Sequence, residues 1–258
     1  MEAGELATFM IAACVVVALL YHPSSSVGAL VSSDVVRRLL TGIAMGLTAI
    51  AIVYSPWGKR SGAHFNPAVT LTFLRLGKVA PWDAAFYVFA QFVGGWVGVA
   101  LCVVLLGDLI RHPSVNYVAT VPGAAGIQIA FLSEFVMSFG LMTVVLTVSN
   151  TPRLARFTGV LVGAVVAAYI AIEAPLSGMS LNPARSLGPA LVGHVWSALW
   201  VYFIAPPLGM LLAAEVYARV NGVGCAKLHH DNPLRCIFCE HHAQPRAIVS
   251  RAPRPLVG

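Results

Sequence analysis

The chain alternates long apolar stretches with short polar segments, and the apolar stretches have the length of membrane spans. Six of them lie near residues 4–21, 37–55, 82–106, 128–149, 157–173 and 196–218. A helix of roughly 20 residues crosses a hydrocarbon core of about 30 Å, so each stretch predicts a transmembrane helix. The first stretch opens with Glu2 and Glu5 and has neither Lys nor Arg there. A signal peptide opens on basic residues, so we expect this helix to be retained.

Two shorter apolar segments, near residues 66–74 and 182–192, lie between spans two and three and between spans five and six. At 1.5 Å per residue, each would reach about 14–16 Å as a helix, which is half of the hydrocarbon core. Irregular backbone survives at that depth only where it is buried in protein or lines a cavity. These segments therefore predict two re-entrant half-helices around a pore.

The two halves of the chain repeat one another at an offset of 116 or 117 residues. The recurring elements are Asn66-Pro67-Ala68 with Asn182-Pro183-Ala184, and Gly42-x-x-x-Gly46 with Gly159-x-x-x-Gly163. Small residues at this spacing let helices approach closely in lipid. Three spans per half place the second half in the opposite orientation, so the sequence predicts an inverted repeat. We expect a channel domain at 1–222, with repeat one at about 1–125 and repeat two at about 126–222.

Composition supports an all-α membrane protein and places its ends. Apolar residues make up 58% of the chain and charged residues 10%, against roughly 25% charged residues in soluble domains. The formal net charge is +6, but the positive residues sort by loop, which argues against nucleic acid as a partner. Twelve of the 16 Lys and Arg residues fall on the side of the two termini, and Arg37, Arg38 and Arg111 fall on the other. This bias predicts cytoplasmic termini in a cell membrane.

The two Asn-Pro-Ala motifs predict a chemistry for the pore. Asn is a preferred N-cap and Pro is favoured at the next position, so each motif starts a helix. When the Asn oxygen caps the helix, its NH2 group remains as a donor. Two half-helices meeting at their N-termini would present both donors and two positive dipole ends at one place. Such a site holds the oxygen of water or of a hydroxyl group and repels cations.

The chain resembles the aquaporin, or major intrinsic protein, family from about residue 3 to residue 220. The resemblance is carried by Ser61-Gly62-Ala63-His64-Phe65-Asn66-Pro67-Ala68-Val69-Thr70 and by Asn182-Pro183-Ala184-Arg185-Ser186-Leu187-Gly188-Pro189-Ala190. It implies a passive channel without enzymatic activity or a required cofactor, assembled as a homotetramer, and we expect a bacterial-type member. Ion exclusion by half-helix dipoles and an arginine is the established mechanism of aquaporin-type pores.

The resemblance also implies roles for individual residues. Arg185 would be the arginine of the selectivity filter, which explains an Arg in an apolar segment. Glu5 and Glu134 would accept hydrogen bonds from the re-entrant loops and hold them. His64 and Gln91 would line or brace the pore wall.

The remaining filter positions fall on Ile170, Met179 and either Met45 or Gly46. Water-selective members of the family usually have a His where Ile170 stands and an aromatic residue at the position of Met45 or Gly46. Both are missing here, so the filter is more apolar and favours glycerol or another small neutral solute. Ser186 and Ala190, in contrast, are typical of water channels. Water with small neutral solutes, and glycerol with water as the secondary permeant, therefore remain as alternatives.

The segment 223–258 predicts a cytoplasmic tail with its own chemistry. Cys and His at short spacing can bind zinc tetrahedrally, and the candidate ligands are Cys225, His229, Cys236, Cys239 and His241. The alternative is a basic tail near anionic lipid. We expect residues from about 243 onward to be disordered.

Two other classes of protein fit the pattern less well. A secondary transporter also uses inverted repeats and broken helices, but it needs ionisable coupling groups inside the membrane. Besides Arg185, only Glu5 and Glu134 are available, and both have a scaffold role. An intramembrane metalloenzyme would need a second ligand beside His64, and none stands at a workable spacing.

Overall fold

The computed structural model describes residues 1–221 and 227–228, and all regular secondary structure in that part of the chain is helical. The long helices are α1 (Glu2–Tyr21), α3 (Asp34–Tyr54), α6 (Pro81–Leu106), α8 (Ile127–Ser149), α9 (Thr158–Ser177) and α11 (Leu199–Val220). The short helices are α2 (Ser26–Leu30), α4 (Pro56–Ser61), α5 (Pro67–Arg75), α7 (Asp108–Arg111) and α10 (Pro183–Gly193). Two single 3-10 turns lie at Asn116–Val118 and Ala155–Phe157.

The predicted membrane architecture is confirmed. In the described part of the chain, six helices are long and apolar enough to cross a membrane, and each coincides with a predicted span. Large apolar side chains cover their outer surfaces, such as Phe86, Phe89 and Val104, which are 68%, 68% and 80% exposed in the isolated chain. In water such a surface would be unfavourable, whereas lipid covers it without cost. The half-helices α5 and α10 each begin one residue after a motif asparagine.

Glycines lie where two helices cross closely. One of them, Gly46, is a residue that the sequence offered for the selectivity filter. A Cβ atom added to Gly46 of α3 would lie 2.5 Å from the carbonyl oxygen of Gly163 on α9. A Cβ atom added to Gly42, one turn earlier, would lie 2.4 Å from the carbonyl oxygen of Ala167. Gly46 is therefore a packing residue of the α3–α9 crossing, because only a hydrogen fits in that space, and it does not face the pore.

The predicted tail is mostly outside the described residues. This applies to all five candidate zinc ligands, Cys225, His229, Cys236, Cys239 and His241, and to the segment predicted to be disordered. Lys227 and Leu228 are described, and Leu228 is buried with 3% of its surface exposed. Its N–H donates to the carbonyl oxygen of Gly62, at 3.3 Å, so this part of the tail lies against the loop that precedes α5. In the described residues, no group of three or more His, Cys, Asp or Glu residues is arranged to hold a metal ion.

Candidate pore and selectivity filter

A cavity of about 370 Å³ follows the long helices through the centre of the molecule. Three helices contribute side chains spaced three or four residues apart, which is one face of a helix. These faces are Phe9, Ala13, Val17 and Tyr21 on α1, Arg38, Thr41, Met45 and Ala49 on α3, and Val162, Val166, Ile170 and Ala174 on α9. Arg38 near the start of α3 and Leu228 beside Gly62 mark opposite ends of the cavity, because α3 runs between them.

The two motif asparagines meet at the cavity, and each fastens the loop of the other half. The side-chain oxygen of Asn66 accepts from Ala68 N at 2.9 Å, and that of Asn182 accepts from Ala184 N at 3.0 Å. The Asn66 amide nitrogen donates to Leu181 O at 2.7 Å, and the Asn182 amide nitrogen donates to Phe65 O at 2.8 Å. An amide nitrogen carries two hydrogens, so each asparagine keeps one for a molecule in the cavity.

Glu2 holds the loop before the first motif. Its carboxyl oxygens accept from His64 N at 3.1 Å and from Phe65 N at 2.8 Å, and Gln91 Nε2 also donates to it. Glu5, the residue that the sequence predicted for this role, accepts from Ser61 Oγ at 2.6 Å, accepts from no main-chain N–H of the loop, and has its carboxyl group beside that of Glu2. Its other carboxyl oxygen is buried without a partner. The main-chain bonds that shape the loop therefore belong to Glu2, three residues earlier on α1.

Glu134 holds the second loop in the same way. Its carboxyl oxygens accept from Ser180 N at 2.7 Å, from Leu181 N at 2.7 Å and from Ser177 Oγ at 2.6 Å. His64 and Phe65 stand 116 residues before Ser180 and Leu181. The two loops are thus anchored by the same pair of main-chain donors, with a buried glutamate on the first helix of each half.

A layer of polar side chains repeats the same symmetry around each half-helix. His64 Nδ1 and Gln91 Nε2 lie 3.2 and 2.9 Å from Thr70 Oγ1. In the second half, Ser180 Oγ and Thr120 Oγ1 lie 2.6 and 2.7 Å from Ser186 Oγ. His64 lines the cavity, whereas Gln91 is fully buried and braces the wall from behind.

Two tyrosines that sequence analysis did not assign complete the anchoring. Tyr87 Oη donates to Ser61 O at 2.7 Å, and Tyr202 Oη donates to Ser177 O at 2.6 Å. Their separation of 115 residues is one residue short of the offset of 116 between the two motifs, and this near match is the signal that could have paired them.

Both loops contain left-handed residues other than glycine. The φ angles of Ala63 and Phe65 are 52° and 29°, and those of Met179 and Leu181 are 48° and 55°. Such conformations cost about 1–3 kcal/mol each, and they persist only where the surroundings impose them. The buried glutamates supply that constraint, since they bond the N–H groups of Phe65 and Leu181 directly.

The residues predicted for the selectivity filter lie at the cavity. Met45, Ile170, Met179 and Arg185 all line the cavity, and of the two candidates on α3 Met45 is among the described lining residues whereas Gly46 is not. Arg185 Nη1 donates to Val118 O at 2.9 Å, so the guanidinium is held against the turn Asn116–Val118. No Asp or Glu is among the described residues that line the cavity.

Comparison with known proteins identifies the family. The sequence profile of the major intrinsic protein family matches residues 3–217. The chain belongs to the major intrinsic protein family. This major intrinsic protein is 37% identical to Aquaporin NIP1-2 of Arabidopsis thaliana over 202 residues, which are 76% of this chain and 66% of that protein. It is 36% identical to Nodulin-26 of Glycine max over 194 residues, which are 74% of this chain and 66% of that protein.

The matched region spans slightly less than two thirds of the length of these two relatives. Both are plant proteins, so the prediction of a bacterial-type member of the major intrinsic protein family is not borne out. Among solved structures, the aquaglyceroporin from Plasmodium falciparum superimposes with a TM-score of 0.69 at 19% identity, covering 85% of this chain and 93% of that one. At this identity the likeness shows the shared fold.

Proposed function

We propose that this major intrinsic protein is a passive membrane channel that conducts water and small uncharged solutes and excludes ions. The observation that carries the proposal is the pair of capped half-helices, whose asparagine amides meet in a continuous cavity beside Arg185. Helix N-termini carry partial positive charge, so this centre attracts an oxygen dipole and repels a cation. Among the described lining residues there is no carboxylate that could bind a cation inside the cavity.

The filter favours a solute with an apolar side as well as hydroxyl groups. Met45, Ile170 and Met179 offer no hydrogen bonds from their side chains, and Arg185 offers several. A small polyol can place its CH groups against the thioether and alkyl walls while its hydroxyls meet the arginine. Glycerol conduction with water as a second permeant is therefore the second candidate function. The names of two proteins similar to this chain, an aquaporin and an aquaglyceroporin, agree with both candidate functions.

The same proposal covers topology and assembly. The positive-inside bias supports cytoplasmic termini in a plasma membrane, with the Leu228 end of the cavity inside and the Arg38 end outside. Family membership supports a homotetramer with one pore in each subunit and a role as a channel, not as an enzyme. An ion-coupled transporter is disfavoured because no Asp or Glu is among the described residues that line the cavity.

Stopped-flow light scattering on proteoliposomes tests this function. We expect fast osmotic water flow and non-saturating entry of glycerol over the physiological range, without any requirement for a proton or sodium gradient. Arg185→Ala should raise glycerol and urea entry relative to water, because the charged donor that narrows the filter is lost. Arg153→Ala, in the exposed loop before α9, is the control. Flux that depends on an ion gradient would instead establish a transporter.

A further inference from the structure

Arg38 lies inside the cavity, although its sequence position marked it as a loop charge. It shares the face of α3 that carries Thr41, Met45 and Ala49, and it precedes Met45 by seven residues. Two helical turns correspond to about 10 Å, so Arg38 lies on the outer side of the filter. A solute entering from outside meets it before it meets Arg185.

The neighbouring Arg37 serves a different purpose and provides a comparison. Its Nε donates to Val31 O at 2.7 Å, its Nη2 donates to Gly28 O at 3.1 Å, and its Nη1 lies 3.6 Å from Asp34. These bonds fasten the segment between α1 and α3. Arg37 is thus a loop-bracing residue and does not line the cavity.

The Arg38 guanidinium is positioned by one bond and keeps most of its donors. Its Nε donates to Ala171 O at 3.3 Å, and Ala171 directly follows the filter residue Ile170 on α9. A guanidinium has five N–H donors. The two Nη groups of Arg38 have no hydrogen-bond or ion-pair partner among residues 1–221, 227 and 228. No acidic side chain among the described residues forms an ion pair with Arg38. The nearby Asp34 lies 3.6 Å from Arg37 Nη1 instead.

Hydroxyl groups surround this guanidinium at the same end of the cavity. Tyr21 and Thr41 line the wall on α1 and α3, and Ser114 lines it from the segment after α7. Thr41 Oγ1 donates its hydrogen to Arg37 O at 2.8 Å, so its oxygen remains an acceptor. The outer ring of Arg38, Tyr21, Thr41 and Ser114 thus combines a charged donor with neutral hydroxyl groups. The selectivity filter, further into the cavity, has apolar side chains and Arg185.

We propose that Arg38, with Thr41 and Tyr21, forms an outer subsite that binds the hydroxyl groups of a small polyol before it enters the filter. Arg38 is then a specificity-determining residue: a polyol exchanges several bonds to water for bonds to this ring, while a single water molecule depends on it little. The inference deepens the proposed channel function and rests on it.

The test compares Arg38→Met, Arg38→Lys and the matched control Arg37→Met in proteoliposomes, with water and glycerol as the probes. For Arg38→Met, we expect the ratio of glycerol to water permeability to fall about three- to tenfold, the change in an equilibrium constant produced by one ordinary hydrogen bond. Water permeability should fall less than glycerol permeability. Arg38→Lys should lose less, because lysine keeps a charged donor without the planar fork. The control should keep the parent's ratio.

Three results would overturn the subsite. They are an unchanged ratio in Arg38→Met, an equal loss of water and glycerol flow in that variant, or the same shift in Arg37→Met. A parent protein that conducts neither probe refutes the channel function itself, which is a different outcome. If Arg38→Met does not fold, Thr41→Val decides, because it removes the acceptor oxygen and keeps the side-chain shape. A fall in its ratio supports the subsite, and an unchanged ratio refutes it.

Discussion

Replacing Glu2 should damage the pore far more than replacing Glu5, although the two lie on the same helix. Glu2→Ala removes the acceptor of the main-chain N–H groups of His64 and Phe65 and of one Gln91 amide hydrogen, while Gln91 Nε2 keeps its bond to Thr70 Oγ1. An unsatisfied buried donor costs about 1–3 kcal/mol, so the expected loss is about 3–6 kcal/mol after partial relaxation. That loss also releases the left-handed conformation of Phe65, whose φ is 29°.

Glu5→Ala is the matched control because it removes a buried carboxyl group from the same helix. It loses the bond from Ser61 Oγ at 2.6 Å and the contact of two carboxyl groups between Glu5 and Glu2, and it leaves the main-chain bonds of Glu2 in place. The expected net change is about 1 kcal/mol or less. Ser61 Oγ still accepts from Ala63 N at 3.0 Å, so the loop keeps its turn.

Two measurements separate the variants. Thermal unfolding in detergent reports stability, and stopped-flow water permeability reports the geometry of the pore centre. Glu2→Ala should lower the unfolding temperature and abolish most water flow, while Glu5→Ala should remain close to the parent in both. If Glu5→Ala were as harmful as Glu2→Ala, or if Glu2→Ala left both measurements unchanged, the assignment of the anchor to Glu2 would be wrong.

Other expectations concern packing and the inner end of the cavity. Gly46→Ala places a methyl group 2.5 Å from Gly163 O and should cost about 1–3 kcal/mol, seen as a lower unfolding temperature; an unchanged temperature would mean that the α3–α9 crossing adjusts freely. Leu228→Ala should raise water permeability because this buried side chain forms part of the inner cavity wall. Leu154→Ala, at a leucine that is 41% exposed, is its control, and equal behaviour of the two would contradict that role.

The sequence predicted the elements well because hydropathy and capping act locally. Each span is a continuous apolar run, and each half-helix begins at an Asn-Pro pair whose preference is written in two adjacent residues. The observed starts of α5 and α10, at Pro67 and Pro183, follow directly. The membrane itself restricts the alternatives, since no other secondary structure in the chain could satisfy its backbone there.

The sequence could not resolve positions that depend on helix rotation or on long-range pairing. Glu2 and Glu5 are less than one turn apart, so hydropathy does not show which one reaches the loop at His64 and Phe65. Met45 and Gly46 are adjacent, and only the closeness of α9 shows that the glycine faces a helix and the methionine faces the cavity. The left-handed loop residues carry no glycine signal, because their conformation is imposed by distant carboxyl groups.

The bonds that join the two loops end on main-chain oxygens, those of Leu181 and Phe65. Every residue type supplies such an oxygen, so substitutions at these two positions preserve the fastening while changing the wall beside it. Changes in the wall that alter which solute passes therefore need not alter the asparagine centre that excludes ions. A redesign for a different permeant can therefore change side chains around the pore centre and keep the hydrogen bonds from the two asparagine amides to the opposite loops.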